Sequence, residues 1–338
     1  MSKKLRLPGN RLRLKARGHG RDVTGRLDRF RLSIRLPRRK PPADADALRA
    51  AWAEGQSIKL TLAEHGRIAR RVALLAIGLA LGLPVHYAWR TVRYGSPIPR
   101  LFLRLAARCA GVRVTRSGTP MRRNVIFISN HLSWLDIPVI GAATGSAFVA
   151  KAELARAPVV GWLARLNRTI FVERESRMAV STQIDTMQQA IADAWSVTIF
   201  PEGTTTDGQS LLPFKTAMLR VLEPPPEGML VQPVLLDYGK MGEWIGWIGN
   251  EHGANNAARI FARKGTFDCH VHFLPPFDPR DFPGRKAIAA ECRRRIEAAL
   301  TEALGAPPRP FAYNVGPVGY VAAREPEVAT PPDAPAND

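Results

Sequence analysis

The sequence predicts an α/β fold, a largely parallel sheet covered by helices, and three observations carry that prediction. From about residue 111, short apolar runs alternate with longer amphipathic stretches, the pattern of strands joined by covering helices. Several runs are continuously apolar, as strands buried in a sheet require. Two turns that carry candidate chemistry, at 130–136 and 200–208, leave directly from the ends of such runs, where open α/β sheets gather their binding groups. With 338 residues, 46% of them hydrophobic, the chain can build one large domain with appendages.

The first element is a basic arm over residues 1–66. Residues 1–40 hold fifteen Lys/Arg and two acids, Asp22 and Asp28, so this stretch contributes most of the net charge of +20. The expectation is that basicity belongs to a disordered tail rather than to the folded body, with a short polar helix near 46–54. Such arms either stay solvated or meet anionic surfaces, nucleic acid or anionic lipid. The Arg-rich, aperiodic arm also fits translation starting downstream of Met1. The first forty residues show no apolar core of a secretory leader.

Residues 67–110 read as a membrane-associated helical segment. The run at 72–85 is the most apolar in the chain, but a spanning helix needs about 20 apolar residues. Arg67, Arg70 and Arg71 precede it, and Arg90 and Arg93 come after it, so charge sets no orientation. Tyr87 and Trp89 stand where interfacial aromatics belong. The expectation is a half-buried, re-entrant anchor with both ends on one side. An amphipathic helix at 101–110 comes after Pro97 and Pro99.

Residues 111–305 form the α/β domain. Strands are expected at 124–129, 146–150, 169–174, 196–200, 229–237 and 267–274. Helices are expected at 158–166, 178–194, 215–222, 255–263 and 284–304. Pro233 implies an edge strand or a bulge at 229–237. The stretch 306–338 is rich in Pro and Ala and reads as a disordered tail.

The site candidates sit beyond the strands. Asn130-His131-Leu132-Ser133-Trp134-Leu135-Asp136 directly succeeds the 124–129 strand. His131 and Asp136, five apart, cannot share a face of a regular helix but can meet across a turn. Asp136 then fixes the imidazole tautomer and leaves the other ring nitrogen as a base. Ser133 reads as a turn residue. Phe200-Pro201-Glu202-Gly203-Thr204-Thr205-Thr206-Asp207-Gly208 leaves the 196–200 strand and offers hydroxyls, backbone N–H groups and a carboxylate. Arg174 and Lys215 are candidate cations for an anionic group. There is no Gly-x-Ser-x-Gly elbow and no cysteine beside His131, so nothing in the chain suggests a covalent nucleophile. Cys109, Cys269 and Cys292 lack metal or disulfide spacing and imply a reducing compartment. His270 and His272 share a strand face, but Cys269 points away; packed histidines are expected rather than a metal site. His252 reads as a loop residue.

These blocks, in this order, resemble the PlsC-like glycerolipid acyltransferase family over residues 70–305. Asn130-His131-x4-Asp136 is similar to its first block, residues 169–174 to its second, Phe200-Pro201-Glu202-Gly203-Thr204 to its third and Val231-Gln232-Pro233-Val234 to its fourth. Lys151, Leu154, Pro158 and Gly161 add an intervening match. The resemblance implies that His131 deprotonates a lipid hydroxyl, which attacks an acyl thioester directly, with Asp136 orienting His131. It also implies that Arg174, Glu202, Gly203 and Thr204 position the acceptor. It implies no bound cofactor or metal, a thioester of acyl carrier protein or coenzyme A as donor, membrane lipids as partners, and a place at the cytoplasmic face of the inner membrane. Two positions depart from the family. Arg168 stands where the second block opens with Gly, and Thr205 stands where the third commonly carries an Arg suited to phosphate. The Gly-Thr-Thr-x-Asp-Gly form, with Pro213-Phe214-Lys215 after it, resembles the branch that acylates lyso-ornithine lipid; lysophosphatidate is the other acceptor. The competing class is a basic nucleic-acid-binding protein. Against it, the chain has no zinc-finger spacing and no RNA-binding aromatic signature.

Overall fold

The structure is a computed structural model that describes residues 45–93, 95–172 and 196–313. The expected helix at 178–194 and the candidate Arg174 lie outside the described residues.

Among the described residues, seven strands form one sheet in the order β1-β7-β6-β2-β5-β3-β4. They are β1 Val112–Ser117, β2 Val125–Ser129, β3 Ala147–Lys151, β4 Ile170–Val172, β5 Ser196–Ile199, β6 Leu230–Asp237 and β7 Phe267–Phe273. Every neighbouring pair is parallel except β6–β7. The sheet is therefore mixed but mostly parallel. β2 and β5 are buried along their whole length, because layers cover both faces. One face packs Ile126, Ile128, Val197 and Ile199 against Ile288, Cys292 and Ile296 of a C-terminal helix. The other packs Phe127 and Val234 with Leu135, Val139 and Ile140.

Among the described residues the α-helices are α1 Ala45–Ala53, α2 Leu62–Val92, α3 Ile98–Cys109, α4 Asp136–Thr144, α5 Pro158–Leu166, the single turn α6 Gly242–Ile245, α7 Gly253–Ala262 and α8 Gly284–Leu304. The stretch expected to be helical at 215–222 is the 3₁₀ segment Thr216–Leu222.

Several expectations are corrected. The apolar segment is not short: α2 is one helix of 31 residues, about 46 Å long at 1.5 Å per residue. It starts early because Thr61 and Glu64 form a capping box, and it continues through Pro84. Pro233 marks neither an edge nor a bulge, since β6 lies between β2 and β7. The Pro233 carbonyl accepts from Leu274 N, just beyond the β6–β7 ladder. In an extended strand N and C=O of one residue point the same way, so the missing N–H faces the place where β7 has ended and breaks no bond to β2. The arm does not run unpaired to residue 66. Trp52 of α1 packs edge-on against Trp244 at 6.3 Å, Arg49 pairs with Glu243, and Asn250 N donates to Ala53 O. Nor does the chain simply leave at residue 306, because Arg309 bonds Asp207 and Glu243, each at 2.8 Å. The arm carries most of the net charge, and residues 65–135 add twelve arginines with no Asp or Glu.

Candidate active site

Three adjacent parallel strands, β6, β2 and β5, end on the same side of the sheet, and the segments leaving their ends build the site. After β2, the Asn130 side chain continues the ladder in place of backbone. Its amide donates to Leu236 O at 3.1 Å and its oxygen accepts from Leu236 N at 2.8 Å. That releases the main chain at His131 to turn away from the sheet. The loop after β5 catches it. His131 N donates to Glu202 Oε1 at 2.9 Å, and Thr206 N donates to His131 O at 2.8 Å.

The expected pair meets across this turn. His131 Nδ1 lies 2.7 Å from Asp136 Oδ2. Asp136 is fully buried at the first position of α4, where the helix N-terminus favours a negative charge. Its Oδ2 also accepts from Leu132 N at 2.6 Å and Ser133 N at 3.0 Å, and its Oδ1 accepts from Tyr238 OH at 2.9 Å. An oxygen facing two backbone N–H groups can take only an N–H from the imidazole, so Nδ1 carries the proton and Nε2 is left as the basic nitrogen. The ring stacks on Phe200, centroids 4.1 Å apart, which fixes its plane. Ser133 Oγ accepts from Leu135 N, the turn role expected of it.

Glu202 is turned inward. Its two oxygens accept from His131 N and Leu212 N, so it braces the loop under the histidine, away from the cavity. Burial pushes its carboxyl up to about 8, against the pull of those two N–H donors. Gly203 has φ +72°, and a Cβ there would meet the Lys215 side chain at 2.9 Å. The Lys215 side chain thus lies over Gly203, beside Thr204. Thr205 is buried and its hydroxyl donates to Trp247 O.

His131 looks into a cavity of about 360 Å³, within the roughly 300–1,000 Å³ of small-molecule sites. Thr204 and Thr205 line it with His131, and most of the remainder is apolar, including Leu79, Leu83, Phe102, Leu103, Leu163 and Phe200. The arrangement suits a long apolar chain whose reacting end lies at an imidazole. His270 and His272 bond the hydroxyls of Thr115 and Ser117, and no metal-binding cluster exists among the described residues. All three cysteines are buried and unpaired by disulfides. His252 caps α7, its Nδ1 accepting from Ala254 N.

Sequence reasoning missed Tyr238, and it named Asn130 and Phe200 within their blocks without assigning either a role. Tyr238 stands 102 positions from Asp136, and only the adjacency of β6 to β2 brings them together. Burial, and then the neighbouring Asp136 charge, push its phenol well above the usual range, so it remains a donor.

The acyltransferase family's sequence model matches residues 111–237. A lyso-ornithine lipid O-acyltransferase of Rhodobacter capsulatus is 34% identical over 257 residues, covering 71% of this chain and 92% of that protein. The chain belongs to the PlsC-like acyltransferase family. A second lyso-ornithine lipid O-acyltransferase, from Brucella abortus, is 32% identical over 253 residues, covering 69% of this chain and 92% of the relative. The crystal structure of the 1-acyl-sn-glycerophosphate acyltransferase PlsC from Thermotoga maritima shares the fold: TM-score 0.50, 22% identity, 70% of this chain and 97% of that one. The family assignment makes this protein an acyltransferase, and the His131–Asp136 pair falls inside the matched region.

Proposed function

We propose that the protein is a lysolipid O-acyltransferase that esterifies the hydroxyl of lyso-ornithine lipid with an acyl group from a thioester of acyl carrier protein or coenzyme A. The observation that carries this reading is the placement of His131, tied to buried Asp136, in the wall of a largely apolar cavity. The hydroxyl proton passes to His131 Nε2 as the oxygen attacks the thioester carbonyl. The tetrahedral adduct then expels the thiolate, which takes the proton back from the imidazolium. Asp136 stabilises the cation in between. No acyl-enzyme forms.

Two observations favour lyso-ornithine lipid over lysophosphatidate. Thr205, at the position where a phosphate-binding Arg is common in the family, lines the cavity with its hydroxyl committed to Trp247 O. The relatives from Rhodobacter and Brucella carry the name of that activity. Lys215 and Arg174 are the proposed cations for the acceptor carboxylate, with Gly203 and Thr204 shaping the loop beside it and Glu202 holding that loop.

The membrane reading rests on α2. It is long and apolar enough to cross a bilayer, and 6% of its most apolar window is buried. However, α3 packs back along its middle, with Leu105 against Gly78 and Ile98 against Gly82, and exposes Arg100, Arg104 and Arg108. In a spanning arrangement these arginines would sit near mid-membrane, at about 2.5–3.5 kcal/mol each. This favours an α2–α3 pair within one leaflet with its arginines at the headgroups, and we propose the cytoplasmic leaflet of the inner membrane.

The test is acyl transfer by purified protein in detergent, offering lyso-ornithine lipid and lysophosphatidate separately. Faster acylation of lyso-ornithine lipid is expected. Preference for lysophosphatidate would show that another cation replaces the missing arginine.

A further inference from the structure

A second apolar surface stands outside the α2–α3 pair. In α5, the first turn begins at Pro158, and Gly161 is the helix's buried residue. A Cβ at Gly161 would meet Ala155 O at 2.5 Å and Leu154 O at 2.8 Å. That contact fixes the rotation of the helix with Gly161 pressed inward. The consequence is that Val159, Val160 and Trp162 are turned out, 64%, 51% and 36% exposed. Arg156 and Arg165 stand exposed beside them.

This surface faces the same opening as α2. Val160, Leu163 and Leu166 of α5 and Leu79, Gly82 and Leu83 of α2 line one cavity. Val72, Ile77, Leu81 and Val85 of α2 are exposed as well. Apolar side chains of α2 and α5 thus meet at one cavity, and each helix exposes further apolar side chains, with Arg156, Arg165 and a single acid, Glu153, exposed around α5. An exposed apolar patch bordered by basic groups, and containing a Trp, fits the boundary between acyl chains and anionic headgroups.

We infer that α5 is a second membrane contact, seated on an anionic leaflet through Val159 and Trp162, and that the gap between α5 and α2 is a side door through which a lipid chain passes from the bilayer to His131. The inference rests on the lysolipid reading for what enters the door, but the contact with the leaflet is independent of it. A chain that slides in sideways stays in apolar surroundings throughout, which avoids exposing it to water.

The experiment compares wild type with the double variant Val159→Ser/Trp162→Ser; neither residue lines the cavity. Binding is read by flotation with phosphatidylglycerol-containing vesicles. Transfer is read with the acceptor in those vesicles and with a soluble short-chain lysolipid. The expected result is about tenfold weaker vesicle binding and an equal loss of rate on the vesicle acceptor, with the soluble acceptor used within twofold of wild type. Val159→Leu/Trp162→Phe should restore both. Unchanged vesicle binding overturns the inference. So does an equal loss on both acceptors, which places these residues in the chemical step, or a loss confined to a carrier-protein donor, which makes α5 a protein-docking site. If wild type transfers no acyl group at all, the lysolipid reading fails while the flotation result still decides the contact.

Discussion

Replacing Asp136 by Asn separates charge from geometry at the site. The carboxylate takes three donors on Oδ2, from His131, Leu132 and Ser133, and one on Oδ1, from Tyr238. An Asn side chain can keep its oxygen at the Oδ2 position and turn its NH₂ towards Tyr238, whose hydroxyl can rotate to accept. The opposite orientation would aim NH₂ at two backbone N–H groups, so the first is strongly preferred. The imidazole therefore keeps its tautomer, and only the negative charge disappears. At roughly 4 Å and an effective dielectric constant of about 20, that charge is worth about 4 kcal/mol to an imidazolium, on the order of 10³ in rate. The fold loses little: a favourable charge at the α4 N-terminus contributes about 0.3–1 kcal/mol, a few degrees in Tm at most. Steady-state kinetics in detergent, with a thermal melt beside them, should show kcat down about 10³ and KM nearly unchanged. A kcat within tenfold of wild type, from a variant that melts normally, would refute the charge argument.

Tyr238→Phe deletes the donor to Asp136 Oδ1; a hydrogen bond to a charged group is worth about 1.5–3 kcal/mol, so kcat should fall about tenfold or more while KM holds, and an unchanged kcat would sink this role. Glu202→Gln addresses pH. The folded-state carboxyl is pushed up to about 8 by burial, so its share of stability is full below about pH 4.5 and declines as pH rises through 8. Thermal melts from pH 5 to 9 should fall less steeply in the variant, and parallel curves would contradict the assignment. Thr205→Arg breaks the bond to Trp247 O but adds a cation at the cavity wall. The rate ratio of lysophosphatidate to lyso-ornithine lipid should rise at least about tenfold, and a competition assay with no change in the ratio counts against the acceptor argument.

How much the sequence discloses depends on how local each feature is. β2 is a nearly continuous apolar run, and β5 alternates Val197 and Ile199 with small hydroxyl residues, so both are evident as strands; α8 matches its expected bounds to the residue. His131 and Asp136 are legible because one turn joins them. β1 escapes notice because five of its six residues are not buried, which leaves an edge strand with little apolar signal. The reversal of β7 against β6 has no signature in either strand. The length of α2 is misread because Arg67, Arg70 and Arg71 look like the end of an apolar run, although Thr61 and Glu64 spell a helix start. The inward role of Glu202 and the presence of Tyr238 depend on which strands are neighbours. That is a property of the sheet, not of any short stretch of chain.

The central claim is that His131 moves the proton. The direct test is the initial rate of acyl transfer to lyso-ornithine lipid in detergent by wild type and His131→Ala, with thermal melts of both. His131 is partly exposed, with a side-chain accessibility of 15%, so the variant should keep its fold and lose at least about 10²–10⁴ in rate. A folded variant that transfers acyl groups within tenfold of wild type would place the base elsewhere and contradict the account.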